Sequence, residues 1–111
     1  MEYLMFVCTD TEPDTDQAAE PDIEEWVAEG DRRGIRKQGD RLVVPKEART
    51  IRVRNGETLI TDGPFAETKE WIAGYDLLEC KDLDEAIEYA SRHPMARAGR
   101  IEVRAIWPWE G

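Results

Sequence analysis

The dipeptide Asn55-Gly56 stands between two segments, residues 50–54 and 57–61, in which polar and apolar side chains alternate. Alternation with a period of two is typical of a β-strand with one buried face. A two-residue turn between such strands needs positive φ at both positions, which asparagine and glycine tolerate. The sequence therefore predicts a β-hairpin, and Asp62-Gly63-Pro64-Phe65 ends its second strand because glycine and proline interrupt strands.

Further segments have the length and the apolar character of strands. Each is bounded by turn-forming residues or by a helix-like segment, which separates it from its neighbours. These strands are predicted at residues 2–8, 71–80 and 101–107, with two short extended pieces around Gly39-Asp40 within residues 35–44.

Two segments repeat apolar residues with the 3.6-residue period of a helix. Pro21 suits the first turn of the first helix, and Gly34 can end that helix. Asp82 and Glu85 have capping-box spacing at the start of the second helix, which Pro94 ends. The predicted buried stripes are Ile23, Trp26, Val27 and Gly30 in the first helix, and Leu83, Ala86, Ile87 and Ala90 in the second.

The order of these elements is strand, helix, several strands, helix and strand. That order is typical of an α+β domain, with a ferredoxin-like antiparallel sheet and two helices on one sheet face. A chain of 111 residues has the size of one domain, so residues 1–111 are predicted to form a single one. The other sheet face would stay bare and partly apolar. We therefore expect a homodimer in which a second copy covers that face, sheet to sheet.

The formal net charge of −10 at pH 7 opposes direct binding of nucleic acid, because phosphates need a basic surface. The charge is segregated, since residues 1–31 hold eleven acids and no lysine or arginine, whereas residues 32–54 hold nine bases and two acids. Such segregation can attract an anion or match two subunits, although a solvated surface is the commoner outcome. Because no long apolar run and no signal-peptide pattern is present, we expect a cytoplasmic protein without a membrane partner.

Cys8 and Cys80 lie in apolar runs and have neither metal-ligand nor redox spacing. We predict buried free thiols in a reducing compartment rather than a disulfide. His93 is the single histidine, so a metal site is not expected. The sequence also lacks a glycine-rich phosphate loop and an ordered Ser-His-Asp set, and no cofactor is expected.

Asp62 and His93 are the candidate catalytic residues. A carboxylate whose pKa is raised by burial can act as a general base, but an aspartate before Gly-Pro often bonds the backbone of its own turn. His93 has an unperturbed pKa near neutrality, and at the end of the second helix its charged form can instead satisfy free carbonyls. Lys69 can bind an anion, or it can pair with Glu70 on the surface.

Arg104 and Tyr75 are the candidate ligand-binding residues on the sheet. Val103 and Ala105 are predicted to face the helices, so strand alternation turns Arg104 and Glu102 into the space between two sheets. Tyr75 can face the same space. An arginine there can hold a carboxylate ligand with two parallel hydrogen bonds, or it can pair with an internal glutamate.

Five segments follow one another along the chain: residues 61–70 (TDGPFAETKE), Gly74-Tyr75, Asp84-Glu85-Ala86, His93-Pro94 and Glu102-Val103-Arg104. In this order they resemble the YCII-related family and specifically its branch with a DGPF motif. The resemblance extends from the first strand to residue 106, and one departure is Ala105, where relatives often have proline. It implies a dimeric α+β barrel with a pocket between the two sheets.

The resemblance implies more than one possible function. Some relatives act on small organic molecules, and others are encoded near or fused to sigma factors. The histidine that better-studied relatives pair with an aspartate belongs to another part of the chain, and residues 9–31 here contain no histidine. We expect a pocket for a small organic acid and isomerase-like or lyase-like acid/base chemistry, with Asp62 as base and Arg104 as anion holder. The alternative is a non-catalytic interaction module associated with sigma-factor-dependent transcription initiation.

Overall fold

The computed structural model describes residues 1–14, 22–64 and 70–108. Pro21, Phe65 and Lys69 lie outside the described residues. None of the helices in the described part of the chain is long and apolar enough to cross a membrane. The elements are β1 (Glu2–Cys8), α1 (Ile23–Arg32), β2 (Arg36–Arg41), a 3-10 turn (Pro45–Glu47), β3 (Arg49–Arg54), β4 (Glu57–Asp62), β5 (Ile72–Glu79), α2 (Leu83–Ser91), α3 (Met95–Ala98) and β6 (Arg100–Ala105).

Four strands form an antiparallel sheet in the order β2-β5-β1-β6, whereas β3 and β4 form a separate two-stranded sheet. The succession β1, α1, β2, β5, α2, β6 follows the β-α-β-β-α-β order of ferredoxin-like folds, with the hairpin β3–β4 inserted after β2. The expected mixed α+β architecture with antiparallel sheets is thereby confirmed. The described chain has three helices where two were expected, because the short α3 follows α2.

The core lies between one face of the four-stranded sheet and the helices. Trp26 of α1 and Tyr89 of α2 hold these helices together by reciprocal hydrogen bonds. The Trp26 indole donates to the Tyr89 carbonyl at 2.8 Å, and the Tyr89 hydroxyl donates to the Trp26 carbonyl at 2.6 Å. Their rings stack with centroids 4.2 Å apart. The buried apolar side chains include Tyr3, Met5, Val7, Trp26, Ile35, Leu78, Cys80, Ala86, Tyr89 and Ala90.

The buried stripe of α2 differs from the predicted one. Ala86 and Ala90 are buried as expected, but Leu83 and Ile87 are about half exposed. Tyr89 takes their place in the core, since its ring stacks on Trp26 and its hydroxyl has a hydrogen-bond partner there. The predicted cap of this helix is confirmed, because the Asp82 carboxylate accepts the backbone N–H of Glu85 at 2.9 Å.

Two connections also differ from the prediction. The two extended pieces expected around Gly39-Asp40 are one continuous strand, β2, whose register against β5 shifts between Arg36 and Gln38. Pro94 does more than end α2, because its helical backbone angles begin α3. Proline suits that place, since the first residues of a helix have no intrahelical partner for an N–H.

The hairpin forms as predicted. Asn55 and Gly56 have φ of 53° and 78°, the positive values that a two-residue turn requires. Register pairs Arg49 with Asp62 and Arg54 with Glu57 across the two strands. The expected half-buried face is absent, however, because every residue from 51 to 62 is exposed.

Candidate functional site

A cavity of about 700 Å³ lies on the helix side of the four-stranded sheet. Its walls are largely apolar and aromatic, with Trp26 and Val27 from α1, Trp71 beside β5, and Met95 at the start of α3. Arg36, Asp76 and His93 also line this cavity. An apolar pocket of this size with a few convergent polar groups is the usual form of a small-molecule site.

Arg36 and Asp76 form a buried ion pair between β2 and β5. The Arg36 Nε donates to Asp76 Oδ1 at 2.8 Å, and its Nη2 donates to the carbonyl of Gly39 at 3.1 Å. Among the described residues, Arg36 Nη1 and Asp76 Oδ2 have no hydrogen-bond partner. One nitrogen and one oxygen of the pair therefore remain for a ligand.

Gly39 is opposite Asp76 in the register of β2 and β5. A Cβ at position 39 would lie 1.9 Å from Asp76 Oδ1 and 2.7 Å from Arg36 Nη2. These distances are far below van der Waals contact, so a side chain here would displace the ion pair. The missing side chain of Gly39 lets the carboxylate and the guanidinium approach the backbone of β2.

Burial raises the pKa of Asp76, and the hydrogen bond and charge of Arg36 offset this only in part. The negative charge of Asp40 adds to the increase. A carboxylate whose pKa is displaced toward neutrality is a stronger proton acceptor than an ordinary aspartate. Asp76 thus lies at the cavity wall with a pKa above the ordinary aspartate value.

His93 is buried, with 7% of its surface exposed. Its Nδ1 accepts a hydrogen bond from the backbone N–H of Met95 at 2.9 Å. Its ring packs on the Trp26 ring in a T-shaped arrangement with the ring centroids 4.6 Å apart. Burial, followed by the charge of Arg36, lowers the pKa of His93 to about 4. At neutral pH the ring is therefore uncharged, and its proton is on Nε2 because Nδ1 is an acceptor.

These contacts contradict one of the two roles predicted for His93, the capping of α2 by a charged imidazole. A charged imidazole donating to the last carbonyls of α2 is not formed, because the ring is neutral and Nδ1 receives a hydrogen bond from α3. The desolvation of the ring among core residues disfavours the charged form. His93 is instead suited to donating a hydrogen bond from Nε2.

Asp62 lies apart from this cavity. It is the last residue of β4 in the two-stranded sheet, and its carboxylate pairs with Arg49 Nε at 3.2 Å while 84% of its side chain is exposed. Asp62 is not among the residues that line the cavity. Lys69, the other candidate near the DGPF segment, lies outside the described residues.

Arg104 and Tyr75 share the sheet face that turns away from the helices. Register places Arg104 opposite Leu4, and Phe6 opposite Tyr75, on either side of β1. Arg104 is exposed, and the Tyr75 hydroxyl accepts a hydrogen bond from Gln38 Nε2 at 2.8 Å. Tyr75 also borders the 700 Å³ cavity, whereas Arg104 does not line it. The described candidate residues therefore lie at three places. Asp62 is in the hairpin, Arg104 and Tyr75 are on the open sheet face, and His93 is at the cavity.

The sequence reasoning missed Arg36 and Asp76. A signal was present, because Asp76 stands between Gly74 and Leu78 at the buried parity of β5. A charged group at a buried strand position needs a partner, since its desolvation is otherwise too costly. The partner was not identifiable, because it depends on the register shift within β2.

A second hollow of about 460 Å³ lies toward the other sheet face and is lined by Cys8, Arg100 and Glu102, among others. The thiols of Cys8 and Cys80 are free, and burial raises the pKa of Cys80 to about 11. The described residues contain no cluster of three or more histidine, cysteine, aspartate or glutamate side chains suited to a metal ion.

Comparison with known proteins relates this fold to a family. The chain is 46% identical over 68 residues to an uncharacterized protein of Rhizobium meliloti (strain 1021). That similarity covers 60% of this chain and 55% of the relative, so it spans about half of the relative's length. The YCII-related domain matches residues 1–110. This chain therefore belongs to the family of YCII-related domains.

Proposed function

We propose that this protein is a homodimeric YCII-related protein that binds a small organic acid and transfers a proton on it. The observation that carries the proposal is the set of Arg36, Asp76 and His93 on the wall of one largely apolar cavity. The sequence reasoning assigned the base to Asp62 and the anion holder to Arg104. The cavity geometry favours Asp76 and Arg36 for these roles, since the other two are exposed elsewhere.

The ligand carboxylate is proposed to bind to the positive groups at the cavity wall. Arg36 offers Nη1, which has no partner among the described residues, and Arg41 adds a second guanidinium at the exposed end of β2. Arginine suits this role because its planar group presents parallel N–H donors to a carboxylate. Trp26, Trp71 and Met95 exclude water from the rest of the ligand.

The proposed chemistry is proton abstraction next to a carbonyl group. Asp76 Oδ2 accepts the proton from carbon, and His93 Nε2–H donates a hydrogen bond to the carbonyl oxygen as negative charge develops there. Return of the proton to a different atom gives an isomerisation. Departure of a group from the neighbouring carbon gives a lyase reaction instead.

Proton abstraction is tested by NMR of small 2-oxo carboxylates incubated with the protein in D₂O. The expected result is faster exchange of the C3 protons for deuterium than in protein-free buffer. Asp76→Asn should lower the protein-dependent exchange rate by roughly a hundredfold or more, the size typical of losing a general base. If no member of the panel exchanges faster with the protein, the proton-transfer proposal fails.

Ligand binding is tested separately by thermal unfolding with the same carboxylates, because a ligand that binds only the folded state stabilises it by RT ln(1 + [L]/Kd). Arg41→Met should reduce the shift in melting temperature. Arg54→Met is the matched control, since it removes the same charge from the hairpin, away from the cavity. Equal loss in both variants would mean that net charge, and not the cavity, attracts the ligand.

The homodimer is proposed from the open face of the four-stranded sheet. Leu4, Phe6 and Leu77 on this face are only partly buried within one chain. A second copy would cover them, and light scattering should give a mass near twice 12.8 kDa. A monomer at micromolar concentration would contradict this part of the proposal.

We also propose that the chain belongs to the DGPF-motif branch and is cytoplasmic. The residues Asp62-Gly63-Pro64-Phe65 support the branch. The described part of this segment is tied to β3, because Thr50 Oγ1 donates to the carbonyl of Gly63 at 2.9 Å. The free thiols of Cys8 and Cys80 support a reducing compartment.

A further inference from the structure

The strand β6 forms one edge of the four-stranded sheet, and no other strand of the described chain pairs with its outer side. An unpaired edge exposes a row of backbone N–H and C=O groups that can take up another strand. The opposite edge, β2, is interrupted by the register shift between Arg36 and Gln38 and carries Lys37, and both features oppose pairing. The register of β6 on β1 runs without a shift. Of the two edges, β6 is therefore the one with regular geometry.

The hydrogen bonds of β6 to β1 show which backbone groups remain at this edge. The N–H of Ile106 donates to the carbonyl of Glu2 at 2.9 Å. Hydrogen-bonded positions alternate along an antiparallel strand, so the even-numbered residues of β6 direct their backbone groups to β1. The N–H and C=O groups of Ile101, Val103 and Ala105 consequently point away from β1, toward the outer side of the sheet.

An apolar ledge on α2 lies along the same edge. Glu85 and Glu88 of α2 pair with Arg33, at the end of α1. Because each residue of a helix turns by about 100°, Leu83 and Ile87 lie on the flank of α2 that faces away from α1. Since α1 packs on β2 and α2 packs on β6, this flank is directed to the outer side of β6. Leu83 and Ile87 are 48% and 50% exposed, and they form the ledge.

The charges of β6 indicate what can pair with it. Glu102 and Arg104 lie on the open sheet face, and neither has an ion-pair partner among the described residues. When β6 pairs antiparallel with a second copy of itself, the outward backbone groups must meet. The registers that then pair most of the strand are centred on Glu102 or on Val103. The first sets Glu102 against Glu102, whereas the second sets Glu102 of each copy against Arg104 of the other. Opposite charges therefore favour the register centred on Val103.

We propose that β6 pairs antiparallel with β6 of a second copy, in the register centred on Val103, so that two sheets become one continuous sheet. The two α2 helices then lie side by side across the two-fold axis, and the ledges of both copies cover each other. In this register Trp107, which is 89% exposed, reaches the position of Gly99 in the second copy, where no side chain competes for the space.

This edge contact uses neither the cavity nor the open sheet face, so it goes beyond the proposed homodimer and does not depend on it. One short strand edge and a two-residue ledge bury less area than a stable interface needs. The edge contact is therefore expected to form well above micromolar concentration, as an association of molecules that already have their low-concentration state.

The first test is sedimentation equilibrium of wild type, Ala105→Pro and Ala105→Ser at about 5 µM and about 500 µM, below and above the range expected for a small interface. The wild type should rise from twice the chain mass of 12.8 kDa to a larger assembly. Ala105→Pro removes an outward N–H and should stay at the lower mass, with its bonds to β1 and its near-UV spectrum intact. Ala105→Ser keeps the N–H, so this matched control should associate as the wild type does.

The second test reverses the charges of β6 and reads the register. Glu102→Arg and Arg104→Glu each set like charges against each other at two symmetric places, and each should weaken the association at high concentration by roughly tenfold. The double variant Glu102→Arg/Arg104→Glu restores opposite charges in the register centred on Val103. Its association constant should return to within about threefold of wild type.

The outcomes separate the edge contact from the open-face homodimer. A wild type that stays at twice the chain mass at both concentrations, or an Ala105→Pro variant that associates as wild type does, would overturn the edge contact and leave the homodimer standing. A wild-type monomer at the lower concentration would overturn the homodimer, and the edge contact would then be read from the step from monomer to dimer. A double charge variant as weak as the single ones would refute the register centred on Val103 and with it the proposal.

Discussion

Arg36 and Asp76 are joined at 2.8 Å across β2 and β5, and their side chains are 19% and 8% exposed. Breaking such a pair leaves one charge buried without compensation. Arg36→Met should therefore lower the free energy of unfolding by about 3 kcal/mol, measured by urea denaturation at pH 7. The loss should shrink at lower pH, because burial raises the pKa of Asp76 and the unpaired carboxyl can then bind a proton.

The double variant Arg36→Met/Asp76→Leu is the control for this prediction. It removes both charges, so no buried ion remains unpaired, and its stability should recover most of the loss. Equal stability of Arg36→Met and wild type would show that the pair contributes nothing to folding.

Gly39→Ala should destabilise the protein, because the new Cβ would lie 1.9 Å from Asp76 Oδ1. We expect a loss of about 2 kcal/mol or more in urea denaturation, the cost typical of overpacking a buried site. The same substitution made in an Asp76→Ala background should cost much less, since the colliding oxygen is gone. If both backgrounds lose equal stability, the cost comes from other groups at Gly39, such as Arg36 Nη2, and not from the carboxylate.

His93 should make stability depend on pH below neutrality. Its folded pKa of about 4 lies below the ordinary 6.5, so the unfolded chain binds more protons between these values. The stability associated with neutral His93 is therefore present above pH 6.5 and is lost as pH falls toward 4. The loss from this residue approaches about 3 kcal/mol.

His93→Asn isolates this contribution, because asparagine offers an oxygen for the Met95 N–H but does not titrate. As pH decreases from 6.5 to 4, the wild type should lose about 3 kcal/mol of unfolding free energy relative to the variant. Parallel pH profiles would contradict a buried neutral histidine. Other titrating groups, including Asp76, are present in both proteins and cancel in the comparison.

The two thiols should differ in reactivity. Cys80 is 3% exposed and burial raises its pKa to about 11, whereas Cys8 is half-buried. A thiol reagent such as dithionitrobenzoate should count two thiols in unreduced denatured protein. In the native protein one thiol should react more than about tenfold faster, and Cys8→Ser should remove that phase. Finding no thiols after denaturation would mean a disulfide that the fold does not contain.

The local parts of this fold were predictable because their signals are local. Asn55-Gly56 defines a turn by backbone conformation alone, and Asp82 caps α2 through a residue three positions away. The strand order and the separation of the hairpin from the main sheet depend on contacts between distant residues. The alternation of polar and apolar residues in β3 and β4 predicted a buried face. The same alternation is compatible with a hairpin whose apolar face is exposed, as it is here.

The candidate site was only partly predictable for the same reason. His93 was singled out by its chemistry, but its neutral state follows from burial against Trp26 and from the nearby Arg36. Asp76 carried a readable signal, a charge at a buried strand position. Its pairing with Arg36 depends on the register shift of β2 against β5, and no residue pattern in β2 predicts that shift.

The position of β1 has a consequence for synthesis of the chain on the ribosome. This first strand lies in the middle of the sheet, where Tyr3 is opposite Leu78 on one side and Ala105 on the other. Its two neighbours emerge long after it. The nascent chain must therefore hold an apolar strand with two unsatisfied edges until β5 has left the exit tunnel, and with one unsatisfied edge until β6 has left it. The hairpin can close within microseconds of its own emergence, but the sheet cannot. Chains that end before β6 would expose one edge of β1 permanently and should be the species that aggregate or recruit chaperones.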